Sequence, residues 1–427
     1  MRILLIGASG FIGRELFAAL EERGHRVVAA VRNPAAAPRF AREAPITIDL
    51  NQDTTVDSWI PRLDGIDAVV NCAGILQGTR GQSIDAIHDL APAALFAACE
   101  RVGVRRVVQL SAISADRDAG TAYAATKLAA DDKLRASPLD WVVLRPSLVH
   151  ARGAYGGTSA FRALAAYPFA IPVPGAGTQQ FQPIWIDDLA RVVALALETD
   201  TLVRKTIDPV GPDAVTLRDI LIDYRKWLGF GRAPVVHVPM GMVRIGARLG
   251  DVFGGPFNST ALAQLEHGNT GDAAAFTQAT GISATGWKAS LAAHPAHAQD
   301  RWHARIYLIR PLLRASLVFL WLAAAVVGLF AVGGWASTLS AALDIAPLGA
   351  GIALVIACFM DLAIAVLLAV RWKPRRLALL QVLLIGAYTA IATVLWPGLW
   401  AEALGPLVKN IPIAVAALAL GAIEEER

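Results

Sequence analysis

Beyond about residue 300 the chain turns strongly apolar. Four stretches follow one another there with short connections: Ala315–Trp335, Pro347–Val370, Leu377–Trp396 and Leu404–Ile423. Each is near the ~20 residues a helix needs to cross a hydrocarbon core ~30 Å thick. The composition of the 427 residues agrees, with 55% hydrophobic, 17% charged and a mean hydropathy of +0.48, values high for a wholly water-soluble chain. The pattern predicts a C-terminal all-α bundle of four transmembrane helices over 315–427. The fourth is interrupted by Lys409 and Pro412, so it either spans with Lys409 snorkelling to the nearer surface or forms a shallow re-entrant hairpin. Asp361, inside the second stretch, is either functional or one half of a helix–helix hydrogen bond.

Arg301, Arg305, Arg310 and Arg314 precede the first stretch, and "RWKPRR" joins the second to the third. Positive charge in short loops marks the cytoplasmic side. The N-terminal part, the "RWKPRR" loop and the "EEER" tail are therefore expected in the cytoplasm, with the chain a multi-pass protein of the inner (cytoplasmic) membrane. "MRILLIGASG" ends in glycines and shows no cleavage site, which agrees. Residues 301–314 mix basic, aromatic and aliphatic types and read as an interfacial linker helix resting on anionic headgroups of the lipid bilayer.

The first 300 residues read differently. "RILLIG" is a short apolar run of the kind that forms a strand buried on both faces. It enters "GASGFIG", where Gly7, Gly10 and Gly13 are spaced G-x-x-G-x-x-G, and a helix and a second strand, "HRVVAAVRNP", follow. In this context the glycines have distinct tasks: Gly7 the tight turn, Gly10 close approach of backbone to a pyrophosphate, Gly13 close helix packing. The anion rests on N–H groups at the positive end of the helix, with Ser9, Phe11 and Ile12 completing the contact set. Further strands are expected at Ile46–Leu50, Asp67–Gly74, Val104–Ser111 and Leu139–Ser147, separated by helical text. Alternation of this kind predicts an α/β fold, a Rossmann-type doubly wound parallel sheet, with its ligand at the carboxyl ends of the strands.

No acidic residue ends the second strand, where one would bind a ribose 2′-hydroxyl; Arg32 stands there and suits a 2′-phosphate. NADP(H) is therefore preferred over NAD(H). Tyr123 and Lys127, in "YAATK", are four apart and share a helix face. A phenol near its reference pKa of about 10 is a reluctant acid–base, and a neighbouring ammonium favours the phenolate.

Together, the glycine motif, "NCAG" (Asn71–Gly74), "YAATK" and "LRPS" (Leu144–Ser147) resemble the short-chain dehydrogenase/reductase superfamily. The likeness is to its extended and atypical members, the epimerase/dehydratase-like group that includes the 39-kDa-type subunit of respiratory complex I. The resemblance covers residues 1–300 and implies a small substrate lobe drawn mainly from 150–300. It implies Tyr123 as general acid–base and Lys127 as its tuner and holder of the nicotinamide ribose. A serine should help hold the substrate oxygen: Ser111, or alternatively Ser114. Asp49 and Leu50 would flank the adenine, the backbone of Cys72, Ala73 and Gly74 would line the groove, and Pro146 would approach the nicotinamide. His150 could reach the cleft or simply be packed. Asp187 and Asp188 read as helix caps. The C-terminal stretches, with "PGLW" and "GPLVKNIPI", resemble the DoxX-like four-span proteins.

Cys72, Cys99 and Cys358 are scattered and form neither a disulfide framework nor a metal motif. A net charge of +4 without a basic–aromatic stripe gives no nucleic-acid footprint. The expectation is a membrane-anchored oxidoreductase acting on a lipophilic carbonyl, hydroxyl or quinone-like substrate. Two rivals stay open: a nucleotide-binding scaffold or accessory subunit in a membrane complex, and an NADP(H)-gated sensor or carrier.

Overall fold

The computed structural model describes residues 1–39, 41–79, 81–115, 120–253, 257–403 and 405–424. They form two compact units, Met1–Ala304 and Arg305–Arg427.

Six strands come first: β1 Arg2–Ile6, β2 Arg26–Val31, β3 Ile46–Thr47, β4 Ala68–Asn71, β5 Arg106–Leu110 and β6 Asp140–Leu144. Short strands follow: β7 Val149–His150, β8 Ile171–Pro174, β9 Gln180–Phe181, β10 Ile184–Trp185, β11 Lys205–Ile207, β12 Val215–Thr216 and β13 Val235–Val238. The main sheet has the order β11-β6-β5-β4-β1-β2-β3 and is parallel throughout. Its third strand is shorter than the expected Ile46–Leu50, because only Ile46 and Thr47 pair with β2.

The continuous apolar text of β1 has a simple cause. Successive side chains point to opposite faces, and both faces are covered. Ile3 and Leu5 pack with Leu16, Phe17 and Leu20 of α1 (Phe11–Glu22) and with α6 (Ile186–Glu198). Leu4 and Ile6 pack with Trp59, Leu95, Phe96 and Cys99 on the other side. That second face is built by α2 (Val56–Trp59), α3 (Ala91–Val102) and α4 (Ala122–Arg135).

A second apolar core is gathered by α5 (Gly157–Ala165), α7 (Leu217–Trp227) and α11 (Trp287–Ala293), with Leu265 of α9 (Ser259–His267) against it; α8 (Met240–Phe253) precedes α9, and α10 (Ala273–Thr280) packs Phe276 into the core of the main sheet. Thr216 caps α7 by accepting the Asp219 N–H at 3.1 Å. The cap reading of Asp187 and Asp188 is corrected. Helix α6 starts earlier, at Ile186, so both lie in its first turn, and the N-cap is Trp185. Asp187 instead accepts the Trp185 indole N–H at 2.9 Å, while buried Asp188 accepts the Thr285 N–H at 2.6 Å and pairs with Arg191.

Residues 301–314 run into the first apolar stretch without a break, as α12 (Ala298–Leu343). Its 46 residues reach roughly 70 Å at 1.5 Å per residue. Helices α13 (Pro347–Ala369) and α14 (Pro374–Leu395) follow, and these three are long and apolar enough to cross a membrane. The fourth apolar helix, α15 (Asn410–Ile423), has 14 residues, about 21 Å, short of a ~30 Å core. Lys409 precedes it rather than interrupting it. The expected start of this stretch, Leu404, and most of the "EEER" tail lie outside the described residues.

Polar side chains tie these helices together. The Tyr388 hydroxyl donates to Asp361 at 3.0 Å, the Trp321 indole to Gln381 at 2.9 Å, and the Asn410 amide to Thr389 at 2.8 Å. Asp361 thus makes a helix–helix hydrogen bond.

Candidate active site

The chain passes from β1 to β2 and β3 on one side, then returns to β4, β5 and β6 on the other. The crevice at the carboxyl ends of β1 and β4 is therefore the topological switch point, where doubly wound sheets bind ligands. Gly7 follows β1 with φ +82°, and a Cβ there would stand 2.9 Å from the Ala73 nitrogen. A Cβ at Gly13 would overlap the Gly7 carbonyl oxygen. These contacts bring the first turn of α1 against the loop after β4. Gly10 is the N-cap of α1, no side chain caps this end, and the first turn carries no acid. Its backbone N–H groups at Phe11, Ile12 and Gly13 suit an anionic pyrophosphate. Ser9 gives its carbonyl to the Arg14 guanidinium at 2.9 Å, and Phe11 stacks on Tyr155 with ring centres 6.0 Å apart.

Thr121 caps α4 by accepting the Ala124 N–H at 3.1 Å. Tyr123, Lys127 and Asp131 recur every four residues along this helix and so share a face. The buried Lys127 ammonium donates to the Leu110 carbonyl at 2.9 Å and the Ala73 carbonyl at 3.3 Å. Two of its three donors thus join α4 to the ends of β5 and β4. A Cβ at Gly74 would lie 3.3 Å from both this ammonium and His88 Nε2, which fixes Gly74 in the groove wall. Burial lowers the Lys127 pKa, against the raising influence of Asp131.

The electrostatics of the phenol correct an expectation. Tyr123 is not made more acidic: burial first, then the Asp131 charge, push it up to about 12. Lys127 directs its ammonium at backbone carbonyls instead. Asp131 itself is fully buried and pushed up to about 6, mainly by desolvation. It accepts the Ser111 hydroxyl at 2.5 Å through Oδ2, while its Oδ1 has no hydrogen-bond partner among the described residues. Ser111 is therefore joined to α4 through Asp131, and Ser114 is buried three residues further on.

Two participants escape a reading of the sequence. Asp131 carries a legible signal, since it continues the Tyr123–Lys127 spacing by four residues. His88 carries none, because it sits in a single π-turn, Ala86–Leu90, a geometry that often marks functional sites. Its Nε2 accepts the Ile75 N–H at 3.0 Å, so the proton is on Nδ1, which donates to Thr126 Oγ1 at 3.0 Å. The Thr126 hydroxyl then donates to the Ala122 carbonyl at 2.7 Å. Burial and the Lys127 charge hold His88 neutral, down to about 2. Its ring meets Tyr123 edge-on at 5.4 Å.

The remaining expected residues lie along the same carboxyl edge. Arg32 is exposed immediately after β2. After β3, Asp49 accepts the N–H of Asn51 at 3.0 Å, and Leu50 packs against the core. Cys72 gives its thiol to the Ile6 carbonyl at 2.9 Å, and burial pushes it up to about 12. The Pro146 carbonyl accepts the Ile113 N–H at 3.1 Å, joining the loops after β6 and β5. His150 is packed rather than directed into the cleft, between Trp185 and Trp287 at 5.0 and 4.9 Å.

This arrangement has known relatives. Residues 7–162 match the NAD(P)H-binding family and residues 316–418 the DoxX-like family. The chain is 26% identical over 243 residues to "NADH dehydrogenase [ubiquinone] 1 alpha subcomplex subunit 9, mitochondrial" of Arabidopsis thaliana, covering 54% of this chain and 60% of that one. It is 25% identical over 224 residues to a protein named "Ceramide reductase" of Caulobacter vibrioides, covering 51% and 68%. The fold resembles that of UDP-N-acetylglucosamine 4-epimerase from Bacillus cereus, with a TM-score of 0.52 at 17% identity, over 69% of this chain and 95% of that one. Residues 7–162 thus form an NAD(P)H-binding-family region on a Rossmann-type fold, and a DoxX-like region whose apolar helices suit a multi-pass membrane domain follows it.

Proposed function

We propose that the protein is a membrane-anchored, NADP(H)-dependent oxidoreductase of short-chain dehydrogenase type that reduces a lipophilic carbonyl or quinone-like compound. The observation that carries this reading is the shared face of α4: Tyr123 beside Lys127, whose ammonium is fixed at the switch point by the carbonyls of Leu110 and Ala73. The dinucleotide cradle fits: an uncapped helix end over Gly7, Gly10 and Gly13, with Arg32 after β2 for a 2′-phosphate.

The nicotinamide, when bound, supplies or accepts a hydride. The chain supplies the proton. A phenol raised to about 12 stays protonated at neutral pH, and an alkoxide is a stronger base than a phenolate. Tyr123 thus carries a proton to give to a carbonyl oxygen as the hydride arrives. Lys127 keeps one donor for a ribose hydroxyl, and neutral His88 buttresses the phenol edge-on. Ser111 or Ser114 holds the substrate oxygen. The membrane helices favour an apolar substrate, and the "Ceramide reductase" relative offers a parallel of lipid chemistry. Arg301, Arg305, Arg310 and Arg314, in the first part of α12, and the arginines in "RWKPRR" support a cytoplasmic nucleotide domain.

A second reading has its own support: an accessory nucleotide-binding subunit without turnover. The raised Tyr123 and the mitochondrial subunit among the relatives favour it. Screening NADPH oxidation against lipophilic carbonyls and quinones separates the two. Tyr123→Phe should lower turnover by about 10²–10⁴-fold with NADPH affinity retained. NADPH binding without turnover in the wild type would favour the accessory subunit.

A further inference from the structure

Helix α8 rests on the molecule through Val243, Ala247 and Gly250. A Cβ at Gly250 would overlap the Phe257 carbonyl oxygen, so α8 and the chain leading into α9 are closely apposed. Its opposite face is apolar and uncovered: Met242 is 63% exposed, Ile245 61% and Leu249 54%. At 100° per residue these three fall within about 60° of arc, with Arg248 flanking them on one side; beyond it Arg244 pairs with Glu266 of α9 at 3.0 Å. An exposed apolar stripe beside arginines is the pattern of a helix lying in a membrane interface.

The position of α8 adds to this. Gln77, in the loop after β4, donates to Asp251 of α8 at 3.1 Å. Gln264 of α9 donates to Thr121, the cap of α4, at 3.0 Å. The α8–α9 hairpin is therefore fastened to the β4 loop and to the helix that carries Tyr123.

We propose that α8 is a bilayer-contacting lid. Met242, Ile245 and Leu249 enter the headgroup–acyl boundary, Arg248 meets anionic headgroups, and apolar molecules pass from the bilayer to the cleft beneath α8. The occupant is lipid rather than protein for two reasons. The same chain carries three helices able to cross a membrane, so a bilayer is always within its reach. The flanking charge of Arg248 is that expected opposite anionic headgroups. The passage of substrate rests on the function proposed above; the contact with lipid does not.

The test uses the full chain in vesicles of phosphatidylethanolamine and phosphatidylglycerol, with benzoylphenylalanine placed at Ile245 and, as a control, at exposed Glu22 on α1. Phospholipid adducts should form several-fold more at 245 than at 22. Equal lipid labelling at the two positions, or cross-links to a second copy or another protein at 245, would overturn the proposal. In the second arm, Ile245→Asp should lower turnover of a bilayer-resident substrate several-fold while NADPH affinity is unchanged. Unchanged turnover would remove the passage. No turnover in the wild type would remove the function while leaving the lipid adduct standing.

Discussion

Asp131 determines much of the electrical character of the site. It raises Tyr123, supports the charge on Lys127 and orients Ser111, yet burial raises its own pKa from 3.8 to about 6. The charged groups acting on it are Lys127, Arg135 and Arg145. A carboxyl raised in the folded state contributes stability that is fully present below about pH 4 and is lost as pH rises through about 6. The difference between wild type and Asp131→Asn should therefore change by roughly 3 kcal/mol across that window, read as unfolding midpoints of the N-terminal unit at successive pH values. A parallel pair of curves would contradict this. Buried neutral His88 and His150 act in the opposite sense, since stability is lost as pH falls below about 6.5, but they cancel in the difference. At this scale Tyr123 and Lys127 are legible because helix spacing is written in the chain. The sign of the phenol's shift is not, because it depends on desolvation and on where the lysine directs its donors.

The elements are legible where burial makes them so. Strands covered on both faces leave unbroken apolar runs, and β1, β2, β5 and β6 fall where those runs stand. The third strand is shorter than its text suggests, since apolar residues continue past its last paired one. Helix α6 starts earlier than its text suggests, because two adjacent acids look like caps even when an indole and a backbone N–H hold them inside the first turn. The junction of β1 and α1 carries a clear prediction. Gly13→Ala must shift α1 away from Gly7, costing about 1–3 kcal/mol and weakening NADPH binding, measurable by thermal unfolding and by cofactor fluorescence. At the end of β2, Arg32→Ala should weaken NADPH binding by about 10- to 100-fold and leave NADH affinity unchanged. Equal losses for both cofactors would remove the 2′-phosphate assignment.

At the scale of the whole molecule, a dinucleotide-binding unit and a set of membrane helices share one chain. The apolar stretches are legible as helices, but the shortness of α15 is not, because composition alone does not register where Lys409 and Asn410 begin the helix. A cysteine placed in the "RWKPRR" loop and one at exposed Glu22 should react with a membrane-impermeant reagent from the same side, in inverted vesicles and not in intact cells. Reaction from opposite sides would overturn the orientation. The central claim is hydride transfer in the Tyr123 cleft to a molecule held in the membrane, and deuterium at the transferable C4 position of NADPH tests it: a carbonyl keeps the label in a new C–D bond, whereas a quinone passes it to water. Incubated with membranes, the wild type should move deuterium into a lipid-extractable alcohol or, for a quinone, into water, and Tyr123→Phe should bind NADPH yet transfer about 10²–10⁴-fold more slowly. Deuterium that stays in the nucleotide with both proteins, or equal transfer by both, would contradict it.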